Sequence, residues 1–352
     1  MDDSITVVLD SREVLSGVCG ANDGNLKVIE GSLGGRIAAR GNEIRLEGVD
    51  EAGARRFRTM MDSLIAAVRQ GDSPSPEYVR ALARTLISER GFTEPRETAG
   101  SPAETGVEPV SEGGDESPED GPQDGLKAIQ DAVIHIPHGF GKVFPRGRNQ
   151  ARYVQGMRSY DITFCVGPAG TGKTFLAIAE ALYLVLSKKM RKLVLTRPVV
   201  EAGESLGFLP GDLAQKISPY LRPLYDAMES LIPFELIRRM EESHAIEIAP
   251  LAYMRGRSLN DCVIILDEAQ NTTKEQMKMF LTRLGQGARA VITGDATQID
   301  LPKRVDSGLL HAISLLSEVE GIHFAYLNTG DVVRHPLIKK IIQAYDNEKK
   351  PQ

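Results

Sequence analysis

The most chemically specific stretch of the 352-residue chain is Gly167-Pro168-Ala169-Gly170-Thr171-Gly172-Lys173-Thr174. It satisfies G-x-x-x-x-G-K-[ST] at every position. An apolar run (Ile162 to Val166) precedes it and a helical pattern (Phe175 to Leu186) follows, which is the context the motif needs. Glycines let such a loop wrap phosphate oxygens with main-chain N–H groups, and the helix N-terminus adds partial positive charge. Lys173 is expected to reach the β- and γ-phosphates of a nucleotide, and Thr174 to ligate Mg²⁺.

Two further segments fit the same chemistry. Val263-Ile264-Ile265-Leu266 reads as a buried strand ending in Asp267-Glu268. Alone, two carboxylates at a strand end are an ordinary solvated terminus. After a phosphate loop, Asp267 is expected to hold Mg²⁺ and Glu268 to polarise an attacking water. The adjacent Glu favours hydrolysis over transfer to a small-molecule acceptor. A third strand ends Ile292-Thr293-Gly294-Asp295-Ala296-Thr297-Gln298, with Gln298 and Asp295 as candidates for orienting the water or the γ-phosphate.

The elements that must position these groups alternate. Expected strands are Asp161–Val166, Lys192–Thr196, Ala245–Ala249, Cys262–Leu266, Ala290–Thr293 and Ile322–Leu327. Expected helices are Lys173–Ser187, Thr273–Leu284, Ser307–Val319 and Pro336–Ala344, and Thr272 with Glu275 reads as a capping box. Short apolar strands alternating with helices imply an α/β domain with a parallel sheet covered on both faces. This domain is assigned to residues 126–352.

Residues 94–125 hold ten Asp/Glu against one Arg, with Pro, Gly and Ser between them and no aromatic residue. Such a segment cannot bury enough apolar surface to offset its ordering entropy, so a disordered acidic linker is expected. Residues 1–93 form a small α+β unit. Ile5–Leu9 and Glu43–Glu47 read as strands, and Ala52–Arg69 as a helix with Phe57, Met60, Met61, Leu64, Ile65 and Val68 on one side. Gly31-Ser32-Leu33-Gly34 is either a plain turn or the G-x-x-G of a KH-type RNA module.

Hydrophobic residues make up 41% and charged residues 26%, which suits a folded chain. No run approaches the length of a membrane span, and the start, Met1-Asp2-Asp3-Ser4, lacks the features of a signal peptide. Three scattered cysteines (Cys19, Cys165, Cys262) argue against a disulfide framework, so a reducing cytoplasm is expected. The net charge of -6 conceals the acidic linker, and the rear domain carries a mild excess of 29 Lys/Arg over 24 Asp/Glu. His135 and His138 flank a proline and have no third ligand nearby.

Together these segments resemble the PhoH-like ATPase family. The resemblance rests on the phosphate loop, Leu195-Thr-Arg-Pro198, Glu201-Ala-Gly-Glu204, Gly207-Phe-Leu-Pro-Gly211, Pro219-Tyr-Leu-Arg-Pro-Leu-Tyr225, Ala249-Pro-Leu-Ala-Tyr-Met-Arg-Gly-Arg257, Ile265-Leu-Asp-Glu-Ala-Gln-Asn271 and Asp331-Val-Val-Arg-His-Pro336. It covers most of residues 126–352 and extends more weakly to the front unit. It implies a RecA-like P-loop core related to superfamily 1 helicases, use of ATP, cytoplasmic location and a role in RNA metabolism linked by name to phosphate starvation.

The resemblance also implies roles that spacing does not show. Gln150 would read the adenine. Arg334 would approach the γ-phosphate. Arg197 would contact a nucleic-acid backbone, and Arg255 and Arg257 would face RNA or a neighbouring subunit; each of these arginines is otherwise an ordinary ion-pair residue. With one P-loop core per chain, a homo-oligomeric ring such as a hexamer is implied. Three functions compete: an Mg²⁺-dependent ATPase coupled to RNA binding or remodelling, including ribosomal RNA maturation; an ATP-gated RNA-binding scaffold for an endoribonuclease, without unwinding; and a phosphotransferase.

Overall fold

A computed structural model describes residues 4–69, 71–87, 122–199, 213–302 and 304–332. Packing divides the chain into two units, Met1–Asp131 with Arg146–Arg148, and Ala132–Pro145 with Asn149–Gln352.

The front unit runs β1 (Ser4–Val8), α1 (Arg12–Cys19), α2 (Gly24–Leu33), β2 (Arg36–Arg40), β3 (Glu43–Glu47), α3 (Glu51–Arg69), α4 (Pro76–Ile87) and α5 (Pro122–Asp131). Its strands form an antiparallel sheet in the order β1-β3-β2. The alternation in β3 is real: Ile44 and Leu46 are buried, and Glu43 and Glu47 are exposed. α3 buries Phe57, Met60, Met61 and Leu64, as its spacing requires. The buried Asn25 side chain donates to Val18 O at 3.0 Å and Pro74 O at 2.9 Å, joining three segments.

Two expectations for this unit differ from the structure. Gly31, Ser32 and Leu33 are not a loop but the last turn of α2, and Gly34 ends that helix at φ +76°, where a Cβ would be strained. The sharp turn between two helices lies earlier, at Gly20–Gly24, with Gly20, Asn22 and Asp23 all at positive φ. Finally, α5 begins at Pro122, inside the segment expected to be a linker, and packs on α4 within the front unit. Residues 94–121 of the expected linker lie outside the described residues, as do residues 88–93 before it.

The rear unit runs β4 (Ile134–Ile136), β5 (Gly141–Val143), α6 (Arg148–Ser159), β6 (Ile162–Val166), α7 (Lys173–Leu186), β7 (Lys192–Arg197), α8 (Leu213–Glu229), α9 (Phe234–Glu242), β8 (Ile246–Pro250), β9 (Cys262–Leu266), α10 (Lys274–Leu281), β10 (Arg289–Gly294), α11 (Gly308–Leu316) and β11 (Ile322–Tyr326). β4 and β5 pair as a short hairpin. β6 to β11 form one parallel sheet in the order β11-β6-β10-β9-β7-β8. Every strand of the expected set is present within a residue or two. The expected helix Pro336–Ala344 lies outside the described residues.

Alternate residues of each strand serve different faces. Phe164, Ile264, Leu266 and Ile292 pack with Met277 and Phe280 of α10 and Leu309 and Ala312 of α11. Val263 and Val291 face Ala177, Ala181 and Leu184 of α7. At the sheet edge, Phe324 of β11 stacks on Phe164 with ring centroids 4.8 Å apart. α10 is capped by Thr273, whose hydroxyl and the Gln276 side chain close a capping box one residue later than expected. Thr272 is fully buried instead, its hydroxyl donating to Ala269 O at 2.7 Å.

Cys19, Cys165 and Cys262 are free and buried. Burial raises the pKa of all three thiols, that of Cys262 to about 11. Among the described residues no helix is long and apolar enough to cross a membrane.

Glu180 of α7 is 1% exposed and is held by Arg158 of α6 in a two-pronged pair, both contacts 3.0 Å. Arg158→Ala would leave that carboxylate buried without its counter-charge. A loss of about 3 kcal/mol is expected by urea denaturation, against under about 0.5 kcal/mol for Arg222→Ala, whose pairs with Asp226 and Glu229 are exposed.

Candidate functional site

The site is built at the C-terminal ends of β6, β10, β9 and β7. Main-chain ladders continue past the strand ends and fix the loop entry. Gly167 N donates to Gly294 O at 3.1 Å, and Leu327 N to Val166 O at 2.8 Å. A Cβ on Gly167 would lie 2.4 Å from Leu327 O, so glycine is required there. Gly170 and Gly172 turn the loop at φ +79° and +85°, and α7 starts at Lys173. The expected phosphate cradle, Gly167 through Thr174, is therefore formed as strand, loop and helix.

Lys173 Nζ donates to Gly167 O at 2.6 Å and Pro168 O at 2.9 Å, folded over the loop's own carbonyls. Burial lowers its pKa, against the pull of the Asp295, Glu268 and Asp267 carboxylates, which favours the charged form. Thr171, fully buried, donates its hydroxyl to Pro168 O at 2.8 Å. Gln150 of α6 is 3% exposed, and its Nε2 donates to Thr171 O at 2.8 Å. In this arrangement it braces the loop through the Thr171 carbonyl. Tyr153, one helical turn further along α6, donates its hydroxyl to Lys173 O at 3.3 Å. Ala169 N donates to Asp295 Oδ2 at 2.9 Å, tying the loop to the end of β10.

Asp267 is the hub. Its Oδ1 accepts from Thr174 Oγ1 at 2.6 Å and Thr293 Oγ1 at 2.7 Å, and its main-chain N donates to Thr196 O at 2.9 Å. The ends of β9, β10 and β7 and the head of α7 thus meet at one buried residue. Beside it, Glu268 sits in the left-handed region at φ +53°, a conformation that costs a non-glycine residue about 1 kcal/mol or more. Gln270 Nε2 donates to Glu268 Oε2, and Gln270 Oε1 accepts from Asp295 N at 3.0 Å. Gln298 Nε2 donates to Asp295 Oδ2 at 2.8 Å, so Gln298 is at the site, engaged with Asp295.

The arginines separate. Arg197, at the end of β7, lies 3.6 Å from Glu268 Oε1 and 4.0 Å from Asp267 Oδ2. Arg257 forms a two-pronged pair with Glu247 at 2.6 and 2.9 Å, and Lys192 joins the same carboxylate. Arg257 is thus engaged within its own unit. Arg255 is exposed, two residues past the exposed Tyr253. Arg334 lies outside the described residues, as do Glu201–Glu204 and Gly207–Gly211.

Sequence reasoning gave no role to Gln270, Thr293 or Tyr153. Gln270 and Thr293 lie inside segments it singled out, but only tertiary contact shows what their side chains reach. Tyr153 had no sequence signal at all.

The strand that bears Asp295 lies between the P-loop strand and the strand that bears Asp267, with all six strands parallel. Sheet order and site together define a RecA-like P-loop nucleotide-binding protein of the NTPase type. The sequence pattern of the PhoH family, described as PhoH-like protein, matches residues 142–346. A PhoH-like protein of Mycobacterium tuberculosis is 44% identical over 342 residues, covering 96% of this chain and 87% of the relative. One of Bacillus subtilis is 43% identical over 330 residues, covering 94% and 93%. Protein PhoH of Escherichia coli K12 is 42% identical over 205 residues, covering 58% of each. The chain belongs to the PhoH family. Among solved structures, the Pif1 helicase of Candida albicans overlaps 56% of this chain and 42% of its own, at 17% identity and a TM-score of 0.30. The fold assignment rests on the sheet order and not on that overlap.

The ion pair of Arg257 gives a pH-dependent expectation. Hydrogen bonds from Arg257 lower the Glu247 pKa from 4.5 to about 2, aided by Lys192 and opposed by burial. The folded value lies below the unfolded one, so this stabilisation is present above pH 4.5 and lost as pH falls toward 2. Glu247→Gln should be less stable than the parent at neutral pH, and the gap in chemical denaturation should close between pH 4.5 and 2.

Proposed function

We propose that the protein is an Mg²⁺-dependent ATPase that hydrolyses ATP to ADP and phosphate, coupled to RNA binding or remodelling. The observation that carries the hydrolytic half is the convergence of Thr174 and Thr293 on Asp267, with Glu268 alongside, at the open end of the glycine loop. The donor set suits Mg²⁺. Thr174 Oγ1 and Asp267 Oδ1 are hard oxygens 2.6 Å apart, and a single carboxylate with a hydroxyl leaves coordination positions for phosphate oxygens and water. When bound, the ion would supply positive charge against the phosphate oxygens.

The chain's own residues account for the rest. Loop N–H groups and the start of α7 hold the phosphates. The Lys173 ammonium, now spent on two loop carbonyls, turns to the phosphate oxygens. Glu268 takes a proton from the attacking water as general base. Gln298 and Asp295, joined to each other and to the loop, sense the terminal phosphate from the end of β10.

The RNA half has separate support. The front unit begins β-α-α-β-β-α around an antiparallel sheet, and its tight Gly20–Gly24 turn joins two helices. A KH-like module would bring nucleotide phosphates to such a turn. On the rear unit, exposed Tyr253 and Arg255 sit on a short turn anchored by buried Leu251 and Met254, an aromatic and a cation of the kind that hold unstacked bases and phosphates.

The test is phosphate release from ATP with and without single-stranded RNA, duplex RNA and DNA. Lys173→Ala is expected to lose ATP binding or turnover. Glu268→Gln is expected to bind ATP normally and turn over ~10²-fold more slowly or worse. Normal turnover in Glu268→Gln would remove it as the base, and RNA without effect on rate or binding would remove the RNA half.

A further inference from the structure

The Thr-Arg-Pro arginine does not project away from the nucleotide site. β7 pairs with β9 in register, Thr196 opposite Leu266, and Asp267 N extends that ladder to Thr196 O. The register alone therefore brings Arg197 level with Asp267 and next to Glu268. Its side chain is 22% exposed, and its guanidinium reaches both carboxylates and the Tyr220 carbonyl of α8, at 3.5 Å. Arg257, by contrast, has a carboxylate of its own in Glu247.

We infer that Arg197 is the positioning residue of Glu268, working with Gln270 to aim the carboxylate from two sides. The claim rests on the ATPase reading above and deepens it. Three observations support it. The two oxygens of Glu268 are held by different elements, Oε1 beside Arg197 of β7 and Oε2 by Gln270 of the following turn. Gln270 is itself fixed, because its other amide atom accepts from Asp295 N. The Glu268 backbone is in the unfavourable left-handed region, a conformation that persists only where its surroundings hold it.

Electrostatics gives the arginine a second task. Asp267 and Glu268 are neighbouring anions on one strand end, and a single guanidinium lies within 4.0 Å of both. Its positive charge offsets their mutual repulsion. At 3.6 Å from Oε1 it acts through its field and not through a short hydrogen bond.

This assignment differs measurably from contact with a nucleic-acid backbone. A backbone contact affects nucleic-acid binding and stimulation and spares turnover without nucleic acid. A positioning residue affects turnover of the bare protein. The experiment uses the full chain without nucleic acid and compares wild type, Arg197→Ala, Arg197→Lys, Glu268→Gln and Arg197→Ala/Glu268→Gln. It measures kcat and KM for ATP and checks each fold by thermal melting.

Arg197→Ala is expected to lower kcat by ~10-fold or more while KM stays within ~3-fold, the pattern of a lost transition-state interaction. Arg197→Lys should recover part of the loss. The double variant should be no slower than Glu268→Gln alone, since both changes act through one group. If Arg197→Ala fails to fold, Arg197→Gln is read by the same criteria. Wild-type kcat in Arg197→Ala, a rise in KM alone, or a further ~10-fold loss in the double variant each overturns the assignment. A wild-type protein that releases no phosphate overturns the ATPase reading and this assignment together, whereas an active wild type with an equally active Arg197→Ala overturns this assignment alone.

Discussion

One buried carboxylate organises the rear unit's working edge. Asp267 accepts hydrogen bonds from α7 and β10 and extends the ladder to β7 through its main chain. Such a group is tolerated only when donors surround it, because an unpaired buried charge costs several kcal/mol. The donors are the residues a nucleotide site needs, so the folding requirement and the chemical requirement coincide. Satisfying Asp267 places Thr174 at the head of α7 and Thr293 at the end of β10, which in turn sets the glycine loop between them.

From that hub the contacts spread as a connected network and not as isolated pairs. Glu268 is joined to Gln270, Gln270 to Asp295, and Asp295 to the loop amide of Ala169 and to Gln298. α11 closes the far side. Ser307 Oγ donates to Gln270 O at 2.8 Å, and Gly308 N donates to Thr272 O at 2.6 Å. A Cβ on Gly308 would lie 2.4 Å from Thr273 O, which is why the helix can begin so close to the turn. The turn after β9 is thereby held by backbone as well as side chains, and a left-handed Glu268 can persist there.

Much of this was legible in the sequence, and the exceptions share physical causes. Buried parallel strands read as short apolar runs, so β6, β7, β9 and β10 were found within a residue or two. The phosphate loop was found because glycine spacing, a lysine and a hydroxyl must coincide. α6 was missed because polar and basic residues dominate it, although Ala151, Tyr153, Val154 and Met157 are buried along one side. α8 was missed because Pro219 and Pro223 fall inside it, and interior prolines ordinarily break helices. The Gly31–Gly34 motif misled because glycine serves a helix end as well as a loop, and only topology separates the two uses. Thr272 and Thr273 both fit a capping pattern, and burial decided between them. The partners of Arg197 depend on which strands are neighbours, and that of Gln150 on where α6 packs, and no local pattern encodes either.

The buried thiols have a practical consequence. Cys165 lies two residues ahead of Gly167, in the strand that leads into the loop, and Cys262 opens the strand that runs to Leu266, just before Asp267. Burial keeps both protonated at neutral pH, so maleimide dyes should find little thiolate on the intact chain. A cysteine introduced at any exposed position would then carry a fluorophore against a quiet background. Native alkylation, if it occurred, would time the moments when the central strands part.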